Sequence, residues 1–171
     1  AFHRWGTAAL AALPRVAAVA GADVEHHSAM ASVEVLDLST LRWSSGVVPA
    51  LPEPRHYHAT CVGGDGRVVV AGGLEADQRL TTLQWVPGAV AWMAMPDLEE
   101  QRTRSSALAL PDGRAMVMGG GQRLDQDLAS VEVLAADGSG WSALPPMGTA
   151  RYGPAVAVLP CDKVLVAGGY S

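Results

Sequence analysis

Trp43, Trp92 and Trp141 stand 49 residues apart, twice in succession, in a chain of 171 residues. So regular a step marks tandem structural units, and it must be read before any local feature because it decides what each local feature repeats. Four segments superimpose: "RWGTAALAALPRVAAVAGA" from Arg4, "RHYHATCVGGDGRVVVAGG" from Arg55, "RTRSSALALPDGRAMVMGG" from Arg102 and "RYGPAVAVLPCDKVLVAGG" from Arg151. Each holds an arginine, a few variable residues, a small alternating apolar run, a turn, a second apolar run and a glycine-type ending. "MASVEVLD" from Met30, "LTTLQWVP" from Leu80 and "LASVEVLA" from Leu128 align next, and each is followed by one of the three tryptophans.

The periodicity inside a unit is that of strands. Arg67-Val68-Val69-Val70-Ala71 and Lys163-Val164-Leu165-Val166-Ala167 are short, β-rich and bounded by turn residues, which suits buried strands better than helices. The Asp-Gly pairs in "GGDGR" (63–67) and "LPDGR" (110–114) predict tight hairpins, because glycine tolerates the positive φ such turns require. Gly72-Gly73, Gly119-Gly120 and Gly168-Gly169 end the second strand, where a missing side chain permits an unusual backbone or a close neighbour. Four strands per unit follow: a from the arginine, b up to the glycine pair, c around "VEV", d at the tryptophan. Such a unit cannot bury both faces alone and must stack on its neighbours; radial stacking gives a β-propeller. The expected fold is all-β.

The sequence resembles the kelch family, whose repeat carries a diglycine after the second strand, then a Val-Glu-type stretch, then a spaced tryptophan. "DGRVVVAGG", "LASVEVL" with the following "WSALPPMGTAR", and "KVLVAGGYS" carry the likeness, which covers nearly all of residues 1–171. The first unit departs from the pattern, with Gly21-Ala22 in place of the glycine pair, and the second has Leu83-Gln84 where the others have Val-Glu. The resemblance implies a kelch-type β-propeller with blades at about 4–50, 51–98 and 99–147 and a half blade at 148–171. Three and a half blades cannot close a ring of the usual 4–8, so these residues are expected to be part of a larger one. Further blades would come from the same or another chain, since each open end exposes an apolar sheet face.

Composition removes several functions. Hydrophobic residues make up 49% and charged residues 17%, as in a folded chain rather than a disordered one. Lys+Arg 12 against Asp+Glu 17 gives a net charge of -5 with no basic run to follow a phosphate backbone, so no nucleic-acid partner is expected. No apolar run reaches the roughly 20 residues of a membrane helix, so no membrane span is expected. Cys61 and Cys161 share no ligand spacing and decide neither compartment nor chemistry. No P-loop, G-x-S-x-G, H-E-x-x-H or calcium loop occurs, and no cofactor, metal or catalytic set is expected.

In a propeller the d–a and b–c loops share one face, and here they are polar and of mixed charge, as a surface for a protein partner should be. The candidate partner-binding residues are Arg55, His56, His58, Arg102, Arg104, Arg151 and Tyr152. Arg4, Arg55, Arg102 and Arg151 recur at the start of strand a, which favours a structural role; the resemblance implies the alternative of a carboxylate clamp, because kelch proteins that bind acidic peptides use arginines near this position. In "PRHYHATC" (54–61) two histidines, a tyrosine and a cysteine crowd together. Read as a strand, His56 and His58 share one side and Tyr57 takes the other, with His58 lining the central channel. His26-His27, in a b–c loop with Asp23 and Glu25, is a weaker metal candidate, since neighbours on a strand diverge. Trp43, Trp92 and Trp141 are expected to pack between blades, and Glu34 and Glu132 to pair with an arginine or a backbone amide. The expected function is that of a non-catalytic interaction module, adaptor or scaffold. The alternative is a carbohydrate-binding, galactose-oxidase-like or mutarotase-like propeller enzyme.

Overall fold

The structure, a computed structural model, describes residues 7–10, 15–23, 28–74, 80–122 and 126–171. The described residues are all-β and include no helix, so no helix long and apolar enough to cross a membrane is found among them. Among the described residues fourteen strands form three four-stranded antiparallel sheets and one of two strands. The first sheet holds β1 (Thr7–Leu10), β2 (Arg15–Asp23), β3 (Ser28–Asp37) and β4 (Arg42–Ser45). The second holds β5 (Ala59–Val62), β6 (Val68–Ala71), β7 (Thr82–Trp85) and β8 (Met93–Met95). The third holds β9 (Ser106–Ala109), β10 (Ala115–Met118), β11 (Val131–Leu134) and β12 (Trp141–Leu144), and the last pairs β13 (Ala155–Leu159) with β14 (Lys163–Ala167). Each sheet is a meander, strand order following sequence order.

The hairpins form where the turn chemistry predicts. Gly66 and Gly113 take φ of 82° and 88°, and the Asp65 and Asp112 carboxylates accept from the backbone N–H of Arg67 and Arg114. The β13–β14 turn lacks a glycine, and there Cys161 and Asp162 themselves adopt φ of 63° and 57°.

Alternation sorts the side chains between two interfaces. Val68 and Val70 of β6 join Val33 and Val35 of the first sheet, whereas Val69 and Ala71, one residue out of phase, join Ala115 and Val117 of the third. The central strands are therefore apolar on both faces, as a sheet covered on both sides requires. Leu108 and Met118 then pack with Val156, Val164 and Val166 of the last sheet. The first strands lie closest to one another, β1 beside β5, β5 beside β9 and β9 beside β13.

Two expectations are corrected. The first strand begins four residues after the arginine, at Ala59, Ser106 and Ala155, and not at the arginine itself. The intervening turn has a residue with positive φ in each of the last three units, Tyr57 (57°), Arg104 (51°) and Gly153 (65°), so strand alternation does not apply to His56, Tyr57 and His58. Of the three tryptophans, Trp92 and Trp141 pack between sheets and donate their indole N–H to the carbonyls of Pro49 (2.8 Å) and Pro96 (3.0 Å) in the preceding loop. Trp43 is 54% exposed, because no sheet precedes the first among the described residues to supply that loop.

The glycine pairs meet both needs foreseen for them. Gly72, Gly73, Gly119, Gly120, Gly168 and Gly169 all have positive φ, and a Cβ on Gly120 would lie 2.5 Å from the Thr103 carbonyl oxygen and 2.8 Å from the Ser105 nitrogen. In the first sheet the strand runs on past Gly21 (φ 124°) through a bulge, and β2 and β3 extend together to Asp23 and Ser28. Gly120→Ala and Gly88→Ala separate strain from collision, since Gly88 has the same φ (+86°) with open space around it. Urea unfolding should show Gly88→Ala losing about 1–2 kcal/mol for the left-handed backbone and Gly120→Ala losing a further ~2 kcal/mol or more from overpacking. Equal losses would contradict this close approach.

Candidate functional site

The repeated arginines organise the loop face from beneath. Arg55, Arg102 and Arg151 each donate Nη1–H to the carbonyl of the first glycine of their own unit: Gly72 (3.2 Å), Gly119 (3.0 Å) and Gly168 (2.6 Å). Each of these arginines' own carbonyls accepts from a glycine of the preceding unit: the second of the pair for Gly73 N–H to Arg102 (3.0 Å) and Gly120 N–H to Arg151 (2.8 Å), and the first-position Gly21 N–H to Arg55 (3.2 Å). Arg55 and Arg102 are buried at 2% and 0% exposure. Their guanidinium groups are buried and donate to backbone carbonyls, while Arg151 is half-buried.

Arg102 has the fullest set of acceptors. Its Nε–H donates to Glu132 Oε1 (2.8 Å), Nη1 to the Gly119 and Ser130 carbonyls, and Nη2 to Glu100 Oε2 and Ser130 Oγ. Buried Glu132 also accepts from the N–H groups of Glu99 (2.6 Å) and Glu100 (3.3 Å), so its carboxylate fixes the loop before β9, as its sequence position suggested. In the second sheet Leu83 stands at the position of that carboxylate, opposite Val70 as Glu132 stands opposite Val117, and the buried Arg55 Nε has no hydrogen-bond partner among the described residues. Burial lowers the Arg55 pKa, with Glu53 pulling the other way.

Above this framework the first strands enclose an open cleft of about 730 Å³. Tyr57, His58, Thr60, Arg104, Ser105, Ser106, Tyr152 and Tyr170 line it. The left-handed turns hold its key side chains. Arg104 N–H donates to the Tyr57 carbonyl (2.7 Å) and Gly153 N–H to the Arg104 carbonyl (2.9 Å), which carries the turns from sheet to sheet. The Arg104 guanidinium then sits 3.9 Å from the Tyr57 ring centroid and 4.8 Å from that of Tyr152, a cation between two aromatic faces. No carboxylate lies within ion-pair distance of Arg104 among the described residues, and its buried Nε has no hydrogen-bond partner there. Thr60 Oγ1 and Ser105 Oγ are likewise buried without partners, Ser105 at 8% exposure, whereas Ser106 Oγ donates to the Pro154 carbonyl. Burial raises the Tyr152 pKa against the opposing pull of Arg104, so the phenol stays protonated and able to donate at neutral pH.

Of the residues singled out from sequence, the cleft brings together His58, Arg104 and Tyr152. His56 stands beside it with its ring 4.5 Å from that of Tyr57. Arg55, Arg102 and Arg151 are not among its lining residues. Thr60, Ser105 and Ser106 were missed. Arg4, Glu25, His26 and His27 lie outside the described residues, and among the described ones no group of three or more His, Cys, Asp or Glu gathers to hold a metal. Burial pushes the Cys61 thiol up to about 12, so it remains a protonated core side chain, while Cys161 is exposed. No family model matches the chain, and no curated protein does either.

The arginine framework has a measurable consequence. Arg102→Met leaves the buried Glu132 carboxylate without its counter-charge and should cost about 3–5 kcal/mol in denaturant unfolding.

Proposed function

We propose that the chain forms part of a kelch-type β-propeller that acts as a non-catalytic protein-interaction module, an adaptor or scaffold subunit, and that the cleft takes an acidic group of the partner. The repeating meander, the neighbouring first strands and the diglycine bonds between sheets support the propeller. The observation that carries the functional reading is Arg104, a guanidinium held between Tyr57 and Tyr152 at the cleft with no carboxylate counterpart among the described residues.

The chemistry follows from that placement. Stacking between two rings fixes the guanidinium plane and leaves its N–H edge for an incoming carboxylate, which a planar fork binds with two parallel hydrogen bonds. The Tyr152 hydroxyl and the unpartnered hydroxyls of Thr60 and Ser105 add neutral donors around the same cleft. Arginine and tyrosine are also the residue types that dominate protein-binding surfaces, since both offer large contact area with a polar tip.

Selection of peptides by display against the chain should enrich sequences containing Asp or Glu, and their binding should weaken as salt rises. Arg104→Ala should reduce the affinity of a selected acidic peptide by about ten- to a hundred-fold, the weight of a charge-assisted pair. Arg104→Lys should restore only part of it, because an ammonium lacks the planar fork. Enrichment of neutral peptides, or affinities that Arg104→Ala leaves unchanged, would overturn the reading.

A further inference from the structure

Tyr152 has a carboxylate near it as well as a guanidinium. Arg151 N–H donates to the Leu128 carbonyl (3.0 Å), and Leu128 N–H to that of Gly120 (2.8 Å). The first of these is the contact that Arg55 N–H makes with the Met30 carbonyl (3.1 Å), where the two residues form an antiparallel bridge. Partners in an antiparallel pair run in opposite directions, so with Leu128 opposite Arg151, the half-buried Asp127 stands opposite Tyr152. The Arg104 guanidinium lies 4.8 Å from the centroid of the same ring. Both charges reach the phenol: burial raises its pKa, Arg104 opposes the rise and Asp127 adds to it.

Neither charge is neutralised. Among the described residues ion pairs join Arg67 to Asp65, Arg102 to Glu100 and Glu132, and Arg114 to Asp112, and neither Arg104 nor Asp127 enters one. Arg102 closes on Glu132 at 2.8 Å and Arg114 on Asp112 at 2.7 Å, whereas Arg104 is held between the Tyr57 and Tyr152 rings. A fixed cation and a fixed carboxylate are left apart beside one tyrosine. Their separation is on the order of 5–10 Å, from the 4.8 Å between guanidinium and ring and the ~5 Å between facing side chains of an antiparallel pair. In an extended peptide, side chains on one side recur every two residues, at about 7 Å. The two spacings match.

We infer that the cleft binds a pair of opposite charges: an Asp or Glu of the partner pairs with Arg104, and a Lys or Arg two residues away in the extended partner pairs with Asp127. The inference rests on the Arg104 reading above and adds Asp127 as the residue that determines the second position. It also supplies an electrostatic balance, since a chain of net charge -5 attracts a partner segment that brings a cation beside its carboxylate.

The test is a synthetic array of acetylated, amidated seven-residue peptides with Glu or Gln fixed at the centre and the other positions randomised, probed with the fluorescently labelled 171-residue chain. Glu-centred peptides should bind better than Gln-centred ones. Among them, those with Lys or Arg two places before or after the Glu should bind about two- to five-fold better than the rest, the range of an exposed ion pair. Asp127→Asn, which keeps the side chain's shape, should remove the preference for the basic residue and keep that for Glu, and the retained preference shows that the variant is folded. Asp127→Lys should replace the basic preference by one for a second acid. A Glu preference with no basic preference, or a basic preference that survives Asp127→Asn, would overturn the inference and leave the Arg104 reading standing. Equal binding of Glu- and Gln-centred peptides would overturn both.

Discussion

Everything described on the loop face depends on one hydrogen-bonded junction, repeated in the last three units. Arg55, Arg102 and Arg151, ahead of β5, β9 and β13, each reach back to the carbonyl of their unit's first glycine, and each arginine's own carbonyl receives the N–H of a glycine from the neighbouring sheet. Neither contact tolerates a substitute easily. A lysine lacks the fork that lets Arg102 bind two carbonyls and a carboxylate at once. A Cβ on Gly119 would lie 2.4 Å from the Arg151 carbonyl oxygen. Buried backbone carbonyls at a strand end are costly when unmet, and the arginine meets them while tying two sheets together.

The cleft is a consequence of that junction. With the arginine held below, the chain must turn sharply before the first strand can begin, and in the last three units it does so through one left-handed residue. At Gly153 that conformation is free of strain; at Tyr57 and Arg104 it costs about 1–2 kcal/mol. The strained pair are the two residues whose side chains stack at the cleft, and backbone strain is characteristically kept where a side chain must be aimed. A core that is apolar on both faces of each central strand holds the turns in register from sheet to sheet.

Much of this architecture was legible in the sequence because a repeat supplies its own alignment. The strands, the hairpin glycines and the unusual backbone of the glycine pairs all follow from residues that recur at a fixed interval. What recurrence hides is whatever differs between units. Tyr57 was read as a strand residue, although Gly6 and Gly153 at the matching position already hinted that the slot favours a left-handed backbone. Arg104 was singled out from sequence, but its stacking partners come from two other units, and no local pattern records that. Trp43 carries the same sequence signal as Trp92 and Trp141 yet is exposed, since its burial depends on a neighbour and not on its own segment.

The claim that the glycine–arginine junction joins the sheets is tested most directly by native-state hydrogen exchange at the backbone amides of Gly73 and Gly120. Both lie outside the strands and donate across sheets, at 3.0 and 2.8 Å. If the junction couples the sheets, these amides exchange as slowly as those of Val69 and Val117 within β6 and β10, and all open together. Exchange at the rate of an exposed loop, while β6 and β10 remain protected, would show that the sheets are held by side-chain packing alone and would contradict the account.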